Sequence, residues 1–532
     1  MADNNHSRRL FLGCFIALVA TAFGFVVRGA VLEDWAVQFK LSEENKGVLN
    51  GVGLAPFAIS IILLSLVIDK IGYGWTMAMA FAGHMLSAAM TIWAPDFQTL
   101  YIATFIFGLA NGAVEAAVNP VVATIYRNNK THWLNILHAG WPGGLVLGGL
   151  LSIAVLMGGG QLEASLPGHL WQWQMGVLFL PILVYGMLLV GQEFPQQERV
   201  EAGVSYRSML EEFGWGSAYI VSFLVLMAVS QFVLVLNPNE PPLLPPKMAA
   251  LWALAPAVVY ALLIRSFGRP MFVFLLLVMT LLATTELGTD GWIQDIMRST
   301  LDDPVKGTMF LVYTSAIMFV LRFFAGPIVH RISPLGLLAL CAALATGGLY
   351  WLGHAGDAVF MLILAATLYA LGKTFFWPTT LGVVSEQYPK GGALLMNAIA
   401  GVGMIFAGTI GSPAIGTLQD IKLANVVEEK LPDEYATLTK TTKGQFFDYS
   451  AVDAEKVKAL PEEKRALVET VQKETKQLAL ADIAILPAIM CVCYLGLIAY
   501  YKSRGGYQAE VLTGHAADDE KFTGGVKGPV QA

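Results

Sequence analysis

Apolar runs of about twenty residues recur along this chain, and a run that long can cross a bilayer as a helix with its backbone hydrogen bonds made internally. They fall near 9–37, 47–68, 75–94, 98–125, 136–157 and 173–192, then 216–236 and 248–265. Six more follow, near 269–294, 306–329, 335–353, 358–385, 393–417 and 480–501. Only 14% of the 532 residues are charged, against about 25% in a soluble domain. The expectation is an all-α, multi-pass membrane protein of about 14 transmembrane helices. The net charge of −6 is diluted over that length and points to no nucleic acid. Cys14, Cys341, Cys491 and Cys493 all lie in apolar runs, which favours free membrane thiols over disulfides or a metal site. No cofactor is expected.

His6-Ser-Arg-Arg9 followed by an apolar run superficially resembles a signal peptide. The run continues to about Val31, too long for a signal's apolar core, so it reads as the first membrane helix. Lys and Arg in the short loops set orientation. Arg8/Arg9, Lys70, Arg127/Lys130, Arg199/Arg207, Arg265/Arg269, Arg331, Lys390 and Lys502/Arg504 alternate onto one side, whereas 158–172 and 353–357 contain neither residue. Both termini are expected in the cytoplasm, with the chain in the cell (inner) membrane.

These signals divide the chain. A six-helix bundle is expected over 1–195, and a linker with an inserted membrane hairpin over 196–268. Five helices of a second bundle would follow at 269–418, a soluble outer insertion at 419–479 (helical near Ala451–Gln477), and the last membrane helix at 480–503. Residues 504–532, rich in Gly and charge, read as a disordered cytoplasmic tail.

The two bundles look like copies. Glu115-Ala-Ala-Val-Asn-Pro120 and Lys373-Thr-Phe-Phe-Trp-Pro378 each place a charge five residues ahead of a proline inside an apolar span. A mid-membrane charge costs roughly 2.5–3.5 kcal/mol even on lenient scales, so its recurrence points to a polar site where the repeats meet. Glycines crowd the following helix in both halves: Gly140, Gly143, Gly144, Gly148 and Gly149, then Gly401, Gly403, Gly408 and Gly411. Small residues let membrane helices approach closely, so these read as packing or rocking surfaces. Ser65-x-x-x-Asp69-Lys70-x-Gly72 also parallels Gly326-x-x-x-His330-Arg331-x-Ser333.

The duplicated plan and the Asp69-Lys70-Ile71-Gly72 turn resemble the major facilitator superfamily, whose turn reads Gly-x-x-x-Asp-Arg/Lys-x-Gly-Arg/Lys. Ser65 and Tyr73 depart from that pattern. The resemblance implies a cytoplasmic gate built from Asp69, Lys70, Gly72, Arg127, His330 and Arg331, with Asp69 facing the helix N-terminus near Gly391–Ala393. Glu115-x-x-x-Asn119-Pro120 is similar to the fourth-helix motif of the fucose permease-like sugar–proton symporters, where the glutamate takes part in proton coupling. That branch has an aspartate in the first helix; here Arg28 stands there, and arginine cannot be deprotonated in a protein. The inserted hairpin resembles the layout of bacterial peptide transporters.

The polar faces define a candidate site. Asn111, Glu115 and Asn119 form one stripe; Tyr369, Lys373 and Trp377 form another. His138 and Trp141 share a face, as do Glu286 and Asp290. Arg28 with Glu115, and Glu286 with Lys373, are candidate structural ion pairs. Aromatic plates among amides and charges suit a sugar; Arg28 and Lys373 would equally suit an organic anion such as a sugar acid. The chain therefore reads as a secondary transporter, and no clustered nucleophile or metal pair supports an enzyme. The expectation is proton-coupled uptake of a monosaccharide by alternating access, by a monomer. The alternatives are carriage of an organic anion, or a transport-dead nutrient sensor.

Overall fold

The computed structural model describes residues 2–39, 49, 52–159, 168–236, 243–302, 304–443 and 447–508. Twelve helices among them are long and apolar enough to cross a membrane. Two more, Tyr73–Ile92 and Pro304–Arg322, run beside them. In chain order the first bundle is α1 (Ala2–Ala30), α2 (Leu54–Ile71), α3 (Tyr73–Ile92), α4 (Phe97–Ile125), α5 (Lys130–Met157) and α6 (Leu170–Leu189). The hairpin is α7 (Tyr206–Leu236) and α8 (Pro246–Ile264). The second bundle is α9 (270–301), α10 (Pro304–Arg322), α11 (Ala325–Gly353), α12 (Val359–Gln387), α13 (Pro389–Lys430) and α14 (Glu462–Lys502).

Within the first bundle α1 packs on α5 and α6, and α4 on α2 and α3; within the second, α11 packs on α12 and α14. The halves meet where α2 crosses α13 and where α5 crosses α10 and α12. Two of the glycines expected as packing surfaces sit at those crossings. A Cβ on Gly143 would lie 2.8 Å from the Phe319 ring, and one on Gly401 2.6 Å from Ile62. Either methyl group would require the facing side chain to move. The hairpin does not stand aside in lipid: α7 packs along α13, and Phe232 meets the Tyr101 ring of α4 at 6.0 Å.

The repeat is visible in the backbone. Gly72, between α2 and α3, has φ 81° and ψ 154°; Ser333, inside α11, has φ 64° and ψ 161°. This conformation is essentially reserved for glycine, yet the second half holds it with serine. Matching the two turns by sequence was therefore sound, although only one keeps its glycine.

α9 and α13 each contain one π-helical turn, Thr284–Gly288 and Ala407–Gly411, and the two turns touch. Such turns are single-residue insertions that re-aim side chains and cluster at functional sites. Glu286 lies in the first.

The region after 419 differs from a simple helical cap. α13 runs unbroken to Lys430. A short helix, Pro432–Leu438, leads into an antiparallel pair, β1 (Thr439–Lys443) and β2 (Asp448–Val452), with Thr439 opposite Val452. The helix expected from Ala451 is split: a short helix spans Ala454–Lys458, and the long one begins at Glu462, because Pro461 cannot continue a helix from its N-terminal side. Leu423, Val427, Leu431, Leu438, Val468 and Val471 make a small separate core. Lys473 on Asp302 (2.5 Å) and Lys476 on Asp295 (2.6 Å) clip it to the end of α9. It rides on the second half.

Both described ends of the chain lie at the end of the bundle that carries the 69–72 turn. His6 meets the Glu193 carbonyl at 2.9 Å and Arg9 that of Leu188 at 3.0 Å. Tyr507 is buried beneath α12, so the disorder expected from 504 does not begin there; residues 509–532 lie outside the described residues.

Candidate functional site

α4 starts at Asp96, whose carboxylate accepts the Thr99 N–H at 2.8 Å, and its helical period aligns Glu115 with Asn119 one turn on. The Asn119 amide donates to Glu115 Oε2 at 2.7 Å, and its Oδ1 accepts from His138 Nε2 at 2.8 Å. The His138 carbonyl in turn accepts from Arg322 Nη1. Arg322 completes its fork on the Thr374 carbonyl (2.8 Å) and on Glu286 Oε1 (3.2 Å). Every member is buried. A continuous polar chain therefore runs from Glu115 in the first half to Glu286 in the second.

The ion pairs differ from those expected. Lys373 pairs with Asp290, not Glu286, because Arg322 takes Glu286 and leaves Lys373 the acid one turn further along α9. Arg28 meets no acid among the described residues. Its guanidinium donates to Ser87 (2.7 Å) and Thr104 (3.1 Å) and lies 4.7 Å over the Phe107 ring. Thr104 precedes Glu115 by eleven residues on one helix, about 16 Å at 1.5 Å per residue, so α1 presents Arg28 at another depth.

Asn111 belongs to a separate cluster. His84 Nε2 donates to its Oδ1 at 2.8 Å, while His84 Nδ1 lies 3.0 Å from the Tyr185 hydroxyl. Tyr369 spends its hydroxyl on the Thr285 carbonyl (2.6 Å), and the Lys373 ammonium lies 5.1 Å over its ring. Trp141 is half-buried against Phe25, centroids 5.5 Å apart. Trp377 is buried where a Cβ on Gly403 would touch its ring at 3.1 Å. Trp377 is thus a packed side chain, whereas Trp141 keeps part of its surface open.

The proline alignment also shifts by a turn. α4 and α12 end on equivalent caps, Tyr126 (φ −113°, ψ 53°) and Tyr388 (φ −134°, ψ 53°), each followed by a three-residue 3-10 turn. Glu115 lies eleven residues before its cap and Lys373 fifteen, so Lys373 sits about 6 Å deeper. The two charges are neighbours in depth, not equivalents.

At the end expected to form the gate, the Asp69 carboxylate binds Arg199 rather than a helix N-terminus. The N–H of Ala393 is reached instead by the Gln197 side-chain oxygen at 3.3 Å. Lys130 pairs with Glu198 at 2.7 Å and donates to the Ser385 carbonyl at 3.2 Å; Arg127 pairs with Glu201. The linker after α6 is thus wedged between the halves. Lys70 lies 5.7 Å over the Tyr206 ring, and Arg331 is exposed. The His330 side chain lies outside the described residues. Lys130, Gln197, Glu198, Arg199, Tyr388 and Ala393 border a cavity of about 30 Å³ here, enough for a water.

Sequence reasoning missed Arg322, His84 and the linker residues. Arg322 carried the usable signal, a lone arginine between Leu321 and Phe323 in an apolar run, which in lipid marks a partnered functional charge.

A family model for the major facilitator superfamily matches residues 13–412. The chain belongs to that superfamily. It is a multi-pass membrane transporter and not an enzyme. An uncharacterized transporter, y4wD of Sinorhizobium fredii, is 28% identical over 137 residues, covering 24% of this chain and 36% of that protein. The chain thus aligns with about a third of the curated relative's length. Among solved structures, the Escherichia coli fucose:proton symporter FucP superposes with a TM-score of 0.53 at 13% identity, covering 90% of this chain and 98% of that one. A bacterial homologue of the human drug peptide transporters gives 0.58 at 14%, covering 94% and 99%. At these identities the likeness is one of fold.

Proposed function

We propose that this transporter couples proton movement to uptake of a small polyhydroxylated metabolite, a monosaccharide, by alternating access about the polar chain at mid-depth. One observation carries the coupling role. Glu286 and Asp290 are each locked to a cation, whereas the Glu115 carboxylate takes its hydrogen bond from the Asn119 amide. Glu115 can therefore gain or lose a charge without orphaning a buried cation, which would cost several kcal/mol. Its link through Asn119, His138 and Arg322 to Glu286 gives that change a route to the other half. The fucose:proton symporter's fold is consistent with the reading, and the basic residues gathered at the gate end support placing both termini in the cytoplasm.

A sugar acid is favoured by a second observation. Asp290 is 18% exposed while its partner Lys373 is fully buried, so a substrate carboxylate displacing Asp290 would meet a waiting cation. Purified carrier in proteoliposomes with an acid exterior separates the two. Neutral sugar that accumulates and alkalinises the exterior supports the first reading; accumulation confined to sugar acids supports the second; downhill flux indifferent to pH would sink proton coupling.

A further inference from the structure

The residues that follow the last membrane helix have no place in the transport reading, yet one of them is fully buried at the gate. After α14 the chain turns back at Gly505 and Gly506, whose φ values of 97° and 103° only glycine adopts readily. The Gly506 N–H closes on the Tyr501 carbonyl at 2.9 Å. Tyr507 then enters the bundle with no exposed surface, its ring edge-on to Tyr501 at 5.6 Å. Its hydroxyl donates to Glu386 Oε2 at 2.7 Å, and the Gln387 amide holds the next residue by the Gln508 carbonyl at 2.7 Å.

Glu386 is what gives this contact reach. Its other oxygen, Oε1, accepts from Thr131 Oγ1 at 2.6 Å, and Thr131 belongs to α5 in the opposite half. The two helices touch closely there: a Cβ on Gly382, one turn before Glu386, would lie 3.0 Å from the Thr131 Cα. One carboxylate thus joins the end of the chain to the first bundle across the interface that must part when this end opens.

We propose that Tyr507 is a positioning residue of the gate. By holding Glu386 it aims the acceptor that Thr131 needs, and so sets how often the halves separate at this end. A hydroxyl bonded to a carboxylate is a charge-assisted hydrogen bond, roughly twice as strong as a neutral one. Removing it leaves Glu386 free to turn away from Thr131. The inference rests on the alternating-access reading.

A cysteine at Ala123, which borders the gate cavity, reports opening through its rate of reaction with a membrane-impermeant maleimide. The parent chain, with Cys14, Cys341, Cys491 and Cys493, supplies the blank. Wild-type counterflow tests alternating access by itself; the labelling ratio tests the tail. Tyr507→Phe should label Ala123→Cys roughly tenfold faster or more, the effect of one net hydrogen bond to a charged group on an equilibrium, with the melting temperature only slightly lowered. Thr131→Val should do the same, and the double variant should add little because both act through Glu386. A stop after Gly506 should match Tyr507→Phe, whereas a stop after Gln508 should label at the rate of Ala123→Cys alone. Labelling of Tyr507→Phe at the rate of Ala123→Cys alone, or of the two truncations at one shared rate, overturns the proposal.

Discussion

At the scale of single residues, the buried charges separate by what each would leave behind if neutralised. Glu115→Gln should keep substrate binding and counterflow, since an amide reproduces the protonated shape, but lose uphill accumulation. Active uptake and counterflow measured side by side decide it, and normal accumulation would end the coupling role. Arg322 predicts the opposite kind of failure. Arg322→Met leaves Glu286 as an unpaired buried acid, which should cost about 3–5 kcal/mol and most of the folded yield. Adding Glu286→Leu should restore the melting temperature without restoring transport. Were yield to stay low in the double variant, the pair's role would lie in packing rather than charge.

At the scale of elements, the repeated turns make an unequal test. Ser333 holds a backbone conformation that costs a non-glycine residue about 1–3 kcal/mol, and its hydroxyl returns part of that by accepting the Gly336 N–H at 3.1 Å. Glycine at an N-cap loses only a few tenths. Ser333→Gly should therefore raise stability by about 1 kcal/mol, while Gly72→Ala should lower it; thermal unfolding in detergent compares them. α4, which carries Glu115, depends on its first residue in a pH-dependent way. The Thr99 N–H and hydroxyl hold the Asp96 carboxyl below its ordinary value of 3.8. A depressed acid contributes stability above its unfolded value and loses it as the pH falls through the folded one. The stability gap between the wild type and Asp96→Ala should thus be constant near neutrality and close as the pH drops below 3.8.

At the scale of the whole molecule, one seam between the halves lies where α5 meets α12 and the linker fills in beside them. Asn135 on α5 donates to Thr379 on α12 at 3.2 Å, and Asn397 on α13 donates to the Ala116 carbonyl at 3.0 Å, beside Glu115. The second contact places the coupling candidate next to the moving boundary. A chain with Asn135→Cys and Thr379→Cys should lose transport when oxidised or bridged by a short bis-maleimide, with recovery on reduction of the disulfide. Undiminished flux in a fully crosslinked sample would reject alternating access at this seam.

What the sequence determined by itself was everything set by local chemistry: the helices, because apolar length and backbone self-satisfaction in lipid leave no other solution; the duplication, because the same turn recurs after the second helix of each half; and the superfamily. That Glu115, Asn119, His138, Glu286, Asp290 and Lys373 would stand as polar groups inside the bundles was also legible, since polar groups in apolar spans are rare enough to stand out. Which of them touch was decided only by tertiary structure. Arg28 reached Ser87 and Thr104 instead of Glu115, and Lys373 reached Asp290 instead of Glu286. Helical period settles which side a residue faces, but depth and rotation relative to the next helix come from packing. A turn of offset, about 6 Å along the axis, is enough to exchange one partner for another. The same holds for Tyr507, which no local pattern marks and which gains its place only because α12 and α5 come together around Glu386.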